Sequence, residues 1–459
     1  MTSLSALLNP FRGMSTRARA LRGTGFTILN VGGRDFLRLL ANLVLTRLLF
    51  PEAFGLMALT QVFIYGLQTF SDVGIHTMLI QHKRGGERVF LDTLWTMQII
   101  RGVILWVGAC ALAFPAAYIY DQPLLTVLLP IAALSLFIEG FKTTKEAEAN
   151  REITIERVVV LRLCTQLAGL IVTALLAYWL RSVWALVAGT LVASVMRVIV
   201  MHMVLPGKSN RLHWDWAIVK ETLTFGFFIF LSTGASFLIN MGNRIILGAY
   251  LPIAVFGVLN IAIMLGAAPG QISRAIAQTV IFPLYRIKPA QQSTDNQRNL
   301  FRARRMVALM SMGMCAVLAI LGVWVVDVLY DPRYALAGPM IVLIALRGIL
   351  ISPFVGAQEA LIGNGDSKRH FYLNGSMAAL QLSIIFAGIT WFGVAGALIA
   401  PAVANLLLYP MRARFISRYA AWDIKGDLML MTLGLVLVLA ISWFNWDALL
   451  LAFDLNLLQ

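Results

Sequence analysis

Apolar positions in this chain fall in long runs separated by short polar connections. A helix crossing roughly 30 Å of hydrocarbon needs about 20 mostly apolar residues. Runs of that kind begin near Gly25, Pro51, Leu91, Leu124, Ile153, Val183, Ala217, Leu251, Met306, Ala335, Phe371, Val394 and Leu428, which predicts thirteen membrane-crossing helices. The last residues have room for a short fourteenth, so the span count lies between 12 and 14. The pattern is that of an all-α polytopic membrane protein.

Polar positions inside some of these runs are themselves periodic. In the first span Asn30, Arg34, Arg38 and Asn42 recur every four residues, a slowly drifting stripe down one helix face, with Asp35 three residues before Arg38. The second span carries Gln61, Tyr65, Gln68, Asp72 and His76; the seventh Ser232, Ser236, Asn240, Asn243 and Arg244; the eighth Gln271, Arg274 and Gln278, just after Pro269. A charge at the bilayer centre costs about 2.5–3.5 kcal/mol on insertion scales, so Arg34 and Arg38 on one stripe point to a water-filled cavity. Arg47, Arg101, Arg197 and Arg244 lie near span ends, where snorkelling or structural pairing suffices. For Asp72 and His76 structural and functional roles stay open, while Gly32, Gly33, Gly66 and Gly74 read as helix-packing positions.

The stripes fall on spans one, two, seven and eight, which divides the chain into two six-helix lobes, each opening with a polar pair. A weak internal echo agrees. Leu49-Phe50-Pro51 followed by Phe54-Gly55-Leu56 matches Tyr250-Leu251-Pro252 followed by Phe256-Gly257-Val258. Two lobes around a central cavity, related by an axis along the membrane normal, form a common transporter plan. The expected organisation is a cytoplasmic basic tail over 1–23, an N-terminal lobe over 24–205, a linker over 206–216, a C-terminal lobe over 217–411, and an inner loop with about one extra helix over 412–459.

Composition strengthens this picture. The 459 residues are 59% apolar and 13% charged, and the mean hydropathy is +0.80, whereas soluble chains carry roughly 25% charged residues. A soluble enzyme, a nucleic-acid-binding domain and a disordered chain are excluded. The net charge of +15 is accounted for by topology. With the N-terminus inside, the inner connections hold Lys83, Arg84 and Arg88, then Lys142, Lys145 and Arg151, Lys208 and Arg211, Arg286, Lys288, Arg298, Arg302, Arg304 and Arg305, Lys368 and Arg369, and Arg412, Arg414, Arg418 and Lys425. The outer ones offer Arg181 and Arg333 beside Asp121, Asp327 and Asp331. Cys110, Cys164 and Cys315 all lie inside apolar runs and imply neither a disulfide framework nor a metal cluster.

No GxxxxGK[ST] phosphate loop, HExxH or GxSxG pattern occurs. The outer connections are short, and the longest connection, Tyr285 to Met306, is an inner one. A membrane-embedded glycan polymerase or ligase would need a sizeable outer loop, so the expectation is a protein that is not an enzyme. Filter-like loops and repeated charged rings, which would mark a channel, are missing too.

Four stretches resemble a known family. LTRLLFPEAFGLMALTQVF with FSDVGIHTMLIQ is similar to the opening helical pair of Wzx-like polysaccharide flippases, within the multidrug/oligosaccharidyl-lipid/polysaccharide exporter superfamily. NRIILGAYLPIAVFGVLN, AIAQTVIFPLYRI and LIGNGDSKRHF follow in family order. Family members often have Asp where Asn243 stands, so no ion-coupling role is carried over to that position. The resemblance implies alternating access and a substrate of undecaprenyl pyrophosphate carrying an oligosaccharide, moved across the bacterial cytoplasmic membrane. A drug/cation antiporter of the same superfamily is the alternative; its substrates would prefer carboxylates, whereas the mid-span charges here are mostly arginine.

Arginine's fixed fork of donors suits a pyrophosphate. Arg34, Arg38 and Arg274, with Arg347 as a fourth, are the candidates for it, and Asn30, Asn42, Gln68, Asn240 and Gln271 for sugar hydroxyls. Asp72 and Glu359, both within spans, are the candidate carboxylates for a coupling ion, H+ or Na+; no cofactor and no metal is expected. The expected partners are the lipid-linked oligosaccharide, membrane lipids and the polysaccharide polymerase or export machinery, and not nucleic acid.

Overall fold

The computed structural model describes residues 32–34, 36–71, 75, 78–79, 82, 84–151, 156–207, 209–287 and 289–454, and among them there are helices and no strand. The chain divides into two compact units, Met1–Gly234 and Ala235–Gln459.

In the first unit α1 occupies residues 32–34 and 36–48. It is followed by α2 (Pro51–Phe70), α3 (Arg88–Ile119), α4 (Leu125–Gly140), the short α5 (Lys145–Arg151), α6 (Glu156–Leu180) and α7 (Val183–Val204). Helix α8 (Trp216–Tyr250) runs through the division between the units. The second unit continues with α9 (Ile253–Gly266), α10 (Ala268–Ile276), a π turn over Ala277–Ile281, α11 (Phe282–Ile287), α12 (Thr294–Leu329), α13 (Ala337–Ile351), α14 (Glu359–Gly363), α15 (Ser367–Leu407), α16 (Tyr409–Ser417), α17 (Ile424–Phe444) and α18 (Trp446–Asp454). Among the described residues nine helices are long and apolar enough to span a bilayer, and α4 is a shorter apolar one. The chain is a multi-pass membrane protein. The last nine-residue helix, α18, lies in the segment where the sequence left room for a fourteenth.

The internal echo is visible in how helices begin. Pro51 occupies the first position of α2 behind an extended Phe50 (ψ 156°), and Pro252 is itself extended (ψ 140°) immediately before α9. Proline fits there because its fixed φ suits the first turn and its missing N–H has no partner to lose. Gly393 marks the break expected between the eleventh and twelfth spans. Its φ of 58° and ψ of −143° are non-helical and divide α15 in two, in a region that side-chain-bearing residues avoid.

Helix contact in the first unit depends on glycine. A Cβ on Gly102 would lie 3.0 Å from the Leu136 carbonyl and 3.3 Å from the Gly140 Cα, so α3 and α4 meet backbone to backbone. Large aromatics stand exposed where helices end: Tyr118 is 90% exposed, Trp179 82%, Trp391 77% and Trp443 86%.

Residues 210–213, within the expected inter-lobe linker, are fastened to the first unit. The Asn210 Oδ1 accepts from the Thr144 amide at 3.1 Å, and the amides of Arg211 and His213 donate to Asp92 and Thr96, each at 3.0 Å. Lys145, counted in sequence as a loop charge, is buried, and its Nζ donates to the carbonyls of His202 and Leu205 at 3.0 Å. A lysine there satisfies carbonyls left open at the C-terminus of α7 and complements the helix dipole.

Candidate functional site

The polar stripe of the first span is partly visible. Asn30, Asp35, Asp72 and His76 lie outside the described residues. Arg34 and Arg38 stand exposed on α1, one turn apart. Gly33 lets α1 lean on α6, since a Cβ there would sit 3.2 Å from Leu163, and the Arg34 carbonyl accepts from the Gln166 amide of α6 at 3.1 Å. Asn42 turns its amide back to the Arg38 carbonyl at 2.9 Å. On α2, Gln61 and Tyr65 are exposed and Gln68 is half-buried.

Arg101 acts structurally, as its span-end position suggested. Its Nη2 donates to the Gln68 carbonyl at 2.9 Å and its Nε to Ser71 Oγ at 3.0 Å, satisfying groups at the end of α2. Arg197 pairs with Glu139 at 3.6 Å.

In the second unit Asn240 is exposed, with its Nδ2 on the Ser236 carbonyl at 2.7 Å. The Asn243 Oδ1 is buried without a hydrogen-bond partner. Buried Pro269 opens α10, on which Gln271 is half-buried and Arg274 exposed; the Arg274 Nε reaches back to the Gly270 carbonyl at 3.3 Å. The π turn begins three residues after Arg274, a distortion often found where a helix carries function. Arg347 is engaged elsewhere: half-buried on α13, it donates from Nη1 to the Leu398 carbonyl of α15 at 3.3 Å. Glu359 opens the short α14. Within this unit Gln271 and Arg274 thus share one short helix, and Arg347 works as a tie to α15.

Sequence reasoning missed a charged cluster where α12, α16 and α17 begin. Arg304 and Asp427, both 5% exposed in the side chain, pair at 3.2 Å, and the Arg304 Nη1 also donates to the Ala421 carbonyl at 2.8 Å. Asp427 accepts from the Tyr409 hydroxyl at 3.1 Å, which in turn accepts from Trp422 at 3.0 Å. Arg305 forks onto Asp423 through Nε and Nη2, both at 2.7 Å. Arg412, only 2% exposed, donates to Asn405 at 2.8 Å and lies 4.7 Å from the Phe354 ring centre, with Nε and Nη1 unpartnered. The usable signal was Asp423 and Asp427 standing one turn apart, opposite the adjacent Arg304 and Arg305.

Two carboxylates outside the spanning helices have shifted titration. Burial opposes ionisation of Asp423, but the Arg305 hydrogen bonds, the Gly426 amide and the arginine charges outweigh it and hold the carboxyl below its ordinary value. At Asp366 burial is likewise outweighed, by the Tyr419 hydroxyl and by the Arg369 amide and guanidinium. An unfolded aspartate titrates near about 3.9, and both folded values lie lower. The paired forms therefore contribute stability that is complete above that pH and is lost as pH falls through the folded values. Thermal unfolding in detergent should show a level neutral range and a decline below about pH 4. Asp423→Asn should lower the neutral plateau and flatten the acid limb; an acid limb of unchanged steepness would remove Asp423 from the linkage.

Comparison with known proteins gives the family and the fold. A family model described as polysaccharide biosynthesis protein matches residues 44–339. The chain belongs to that family. It is 23% identical over 349 residues to the lipopolysaccharide biosynthesis protein WzxC of Escherichia coli (strain K12), covering 74% of this chain and 69% of that one. It is 22% identical over 340 residues to the succinoglycan biosynthesis transport protein ExoT of Rhizobium meliloti (strain 1021), covering 72% and 67%. In structure it is similar to the lipid II flippase MurJ in an inward closed conformation, with a TM-score of 0.70 and 12% identity over 94% of this chain and 97% of that one. An inward-facing multidrug resistance MATE family transporter matches with a TM-score of 0.57 and 14% identity over 90% and 98%. The fold is therefore that of these transporters.

Proposed function

We propose that this chain is a flippase that moves an undecaprenyl-pyrophosphate-linked oligosaccharide from the inner to the outer leaflet of a bacterial cytoplasmic membrane. The movement proceeds by alternating access and serves polysaccharide biosynthesis. The observation that carries this function is the choice of charge on the polar helix faces. In a polysaccharide biosynthesis family member with a transporter fold, the exposed charges among the described residues of α1 and α10, namely Arg34, Arg38, Arg47 and Arg274, are all arginines. Guanidinium groups suit a compact multi-anion and disfavour the cationic drugs of an antiporter.

Arg34, Arg38 and Arg274 bind the pyrophosphate, and Arg347, already tied to Leu398, contributes less. Asn30, Asn42, Gln68, Asn240 and Gln271 serve the sugar hydroxyls. The Asn240 amide nitrogen is held by its own helix, which leaves its oxygen to accept. Asp72 and Glu359 are the carboxylates for coupling to H+ or Na+. The N-terminus is cytoplasmic, and the partners are membrane lipids and the polymerase or export machinery.

Cells lacking this chain should lose surface polymer and accumulate single lipid-linked repeat units reachable only from the cytoplasmic face. Accumulation of those units on the outer face would place the block after translocation and overturn the assignment.

A further inference from the structure

We propose that the arginine face at the start of α12 holds the headgroup of an anionic phospholipid from the adjoining leaflet. Helix α12 has 36 residues, and at 1.5 Å per residue it extends about 54 Å against roughly 30 Å of hydrocarbon. The stretch from Met306 to Leu329 is apolar apart from Ser311 and Asp327 and is long enough to cross the hydrocarbon by itself. The three turns before it therefore stand at the depth of lipid headgroups. Those turns carry Arg298, Arg302 and Arg305 at a spacing of four and three, which aligns them on one helix face. The same face continues into exposed apolar side chains: Met306 is 66% exposed, Leu309 43% and Trp324 61%. One helix face thus changes from cationic to oily within a single turn, as a headgroup and its acyl chains do.

The two chemistries share a concavity. An open surface concavity of about 510 Å³ runs along α12, lined by Arg298, Arg302 and Arg305 and, among them and one turn on, by Phe301, Met306 and Leu309. Its frame is fixed: Arg305 is forked onto Asp423, and the Gln297 amide donates to the Ala420 carbonyl at 2.8 Å. Asp423 neutralises Arg305. Arg298 and Arg302 are exposed and have no acidic partner among the described residues, so two cationic forks are left facing the cavity. A phosphodiester fits such a fork pair. Trp422, beside Asp423 and 38% exposed, supplies the aromatic that typically marks the interface level. The site needs only the membrane setting of the chain and does not depend on its transport activity.

Native mass spectrometry of the full-length protein in detergent, titrated with phosphatidylglycerol or phosphatidylcholine, tests the site. The wild-type protein should retain phosphatidylglycerol in preference to phosphatidylcholine. Arg298→Gln with Arg302→Gln should weaken phosphatidylglycerol binding about 30-fold, on the scale of two interfacial arginines, while lipid-linked oligosaccharide binding stays as in the wild type. Arg298→Lys with Arg302→Lys keeps the charge but not the fork and should retain part of the affinity, above the glutamine variant and below the wild type, which separates lost recognition from misfolding. Equal retention of both lipids by the wild type, or unchanged phosphatidylglycerol binding in the glutamine variant, would overturn the proposal. Displacement of the lipid by inorganic phosphate alone would make this a free-anion site. Loss of oligosaccharide-lipid binding in the glutamine variant would make it part of the substrate path. Either result would equally overturn the resident-lipid assignment.

Discussion

Replacing Asp427 with alanine should destabilise the protein by about 3–5 kcal/mol, the cost of removing one partner from a buried ion pair. Asp427 and Arg304 are each 5% exposed and 3.2 Å apart, so neither charge can turn to water when the other is lost. The consequence is magnified by Arg412, buried at 2% exposure with its Nε and Nη1 unpartnered. Without Asp427 two guanidinium groups remain enclosed there, and the Tyr409 hydroxyl loses its acceptor. The loss should appear as a lower thermal midpoint in detergent and a smaller monodisperse fraction. Arg304→Met combined with Asp427→Leu should recover part of it, because replacing a buried pair by apolar groups of similar volume costs little, while Arg412 and the Tyr409 hydroxyl still lack Asp427. A wild-type midpoint in Asp427→Ala would mean that the pair contributes nothing to folding.

Arg38→Ala and Arg274→Ala should insert and fold normally yet fail to support polymer export. Both side chains are exposed, and the bond from Arg274 runs to a carbonyl of its own helix, so neither removal opens a cavity. A hydrogen bond to a charged group contributes roughly 1.5–3 kcal/mol, which makes each loss worth about ten- to a hundredfold in affinity for the lipid-linked precursor. Lysine should rescue in part, because a point charge cannot reproduce the fork of donors. Wild-type affinity in purified, folded Arg38→Ala and Arg274→Ala would exclude both from the substrate site. Misfolding of both would assign them to holding the helices together.

The helices were legible because the bilayer sets their length and proline sets their starts. Pro51 and Pro252 stand where α2 and α9 begin, and Gly393 interrupts α15 between the two spans read there. The structural use of Arg101 was legible too, since a span-end arginine finds helix-terminal carbonyls within reach. The cluster around Asp427 was not. Counting positive charges in connections fixes which side they favour, but it carries no information about which acid each one meets. Arg304 and Asp427 are 123 residues apart in the chain and meet only after α12 and α17 pack. Lys145 misled in the same way: it sits in a connection, yet its ammonium group is buried as the cap of α7. The polar stripes were readable as faces, because a period of four is local to one helix. Whether a given amide faces outward was not: Asn42 and Asn240 each bond a carbonyl of their own helix, an outcome decided by rotamer.

Translocation by the purified protein is the central claim, and reconstitution tests it most directly. Proteoliposomes containing the chain as their sole protein, loaded with a fluorescent undecaprenyl-pyrophosphate oligosaccharide, should expose the sugar to an external lectin or glycosidase faster than protein-free vesicles. Arg38→Ala proteoliposomes should remain at the protein-free rate. Equal exposure in wild-type and protein-free vesicles, under both an imposed H+ gradient and an imposed Na+ gradient, would contradict the flippase assignment.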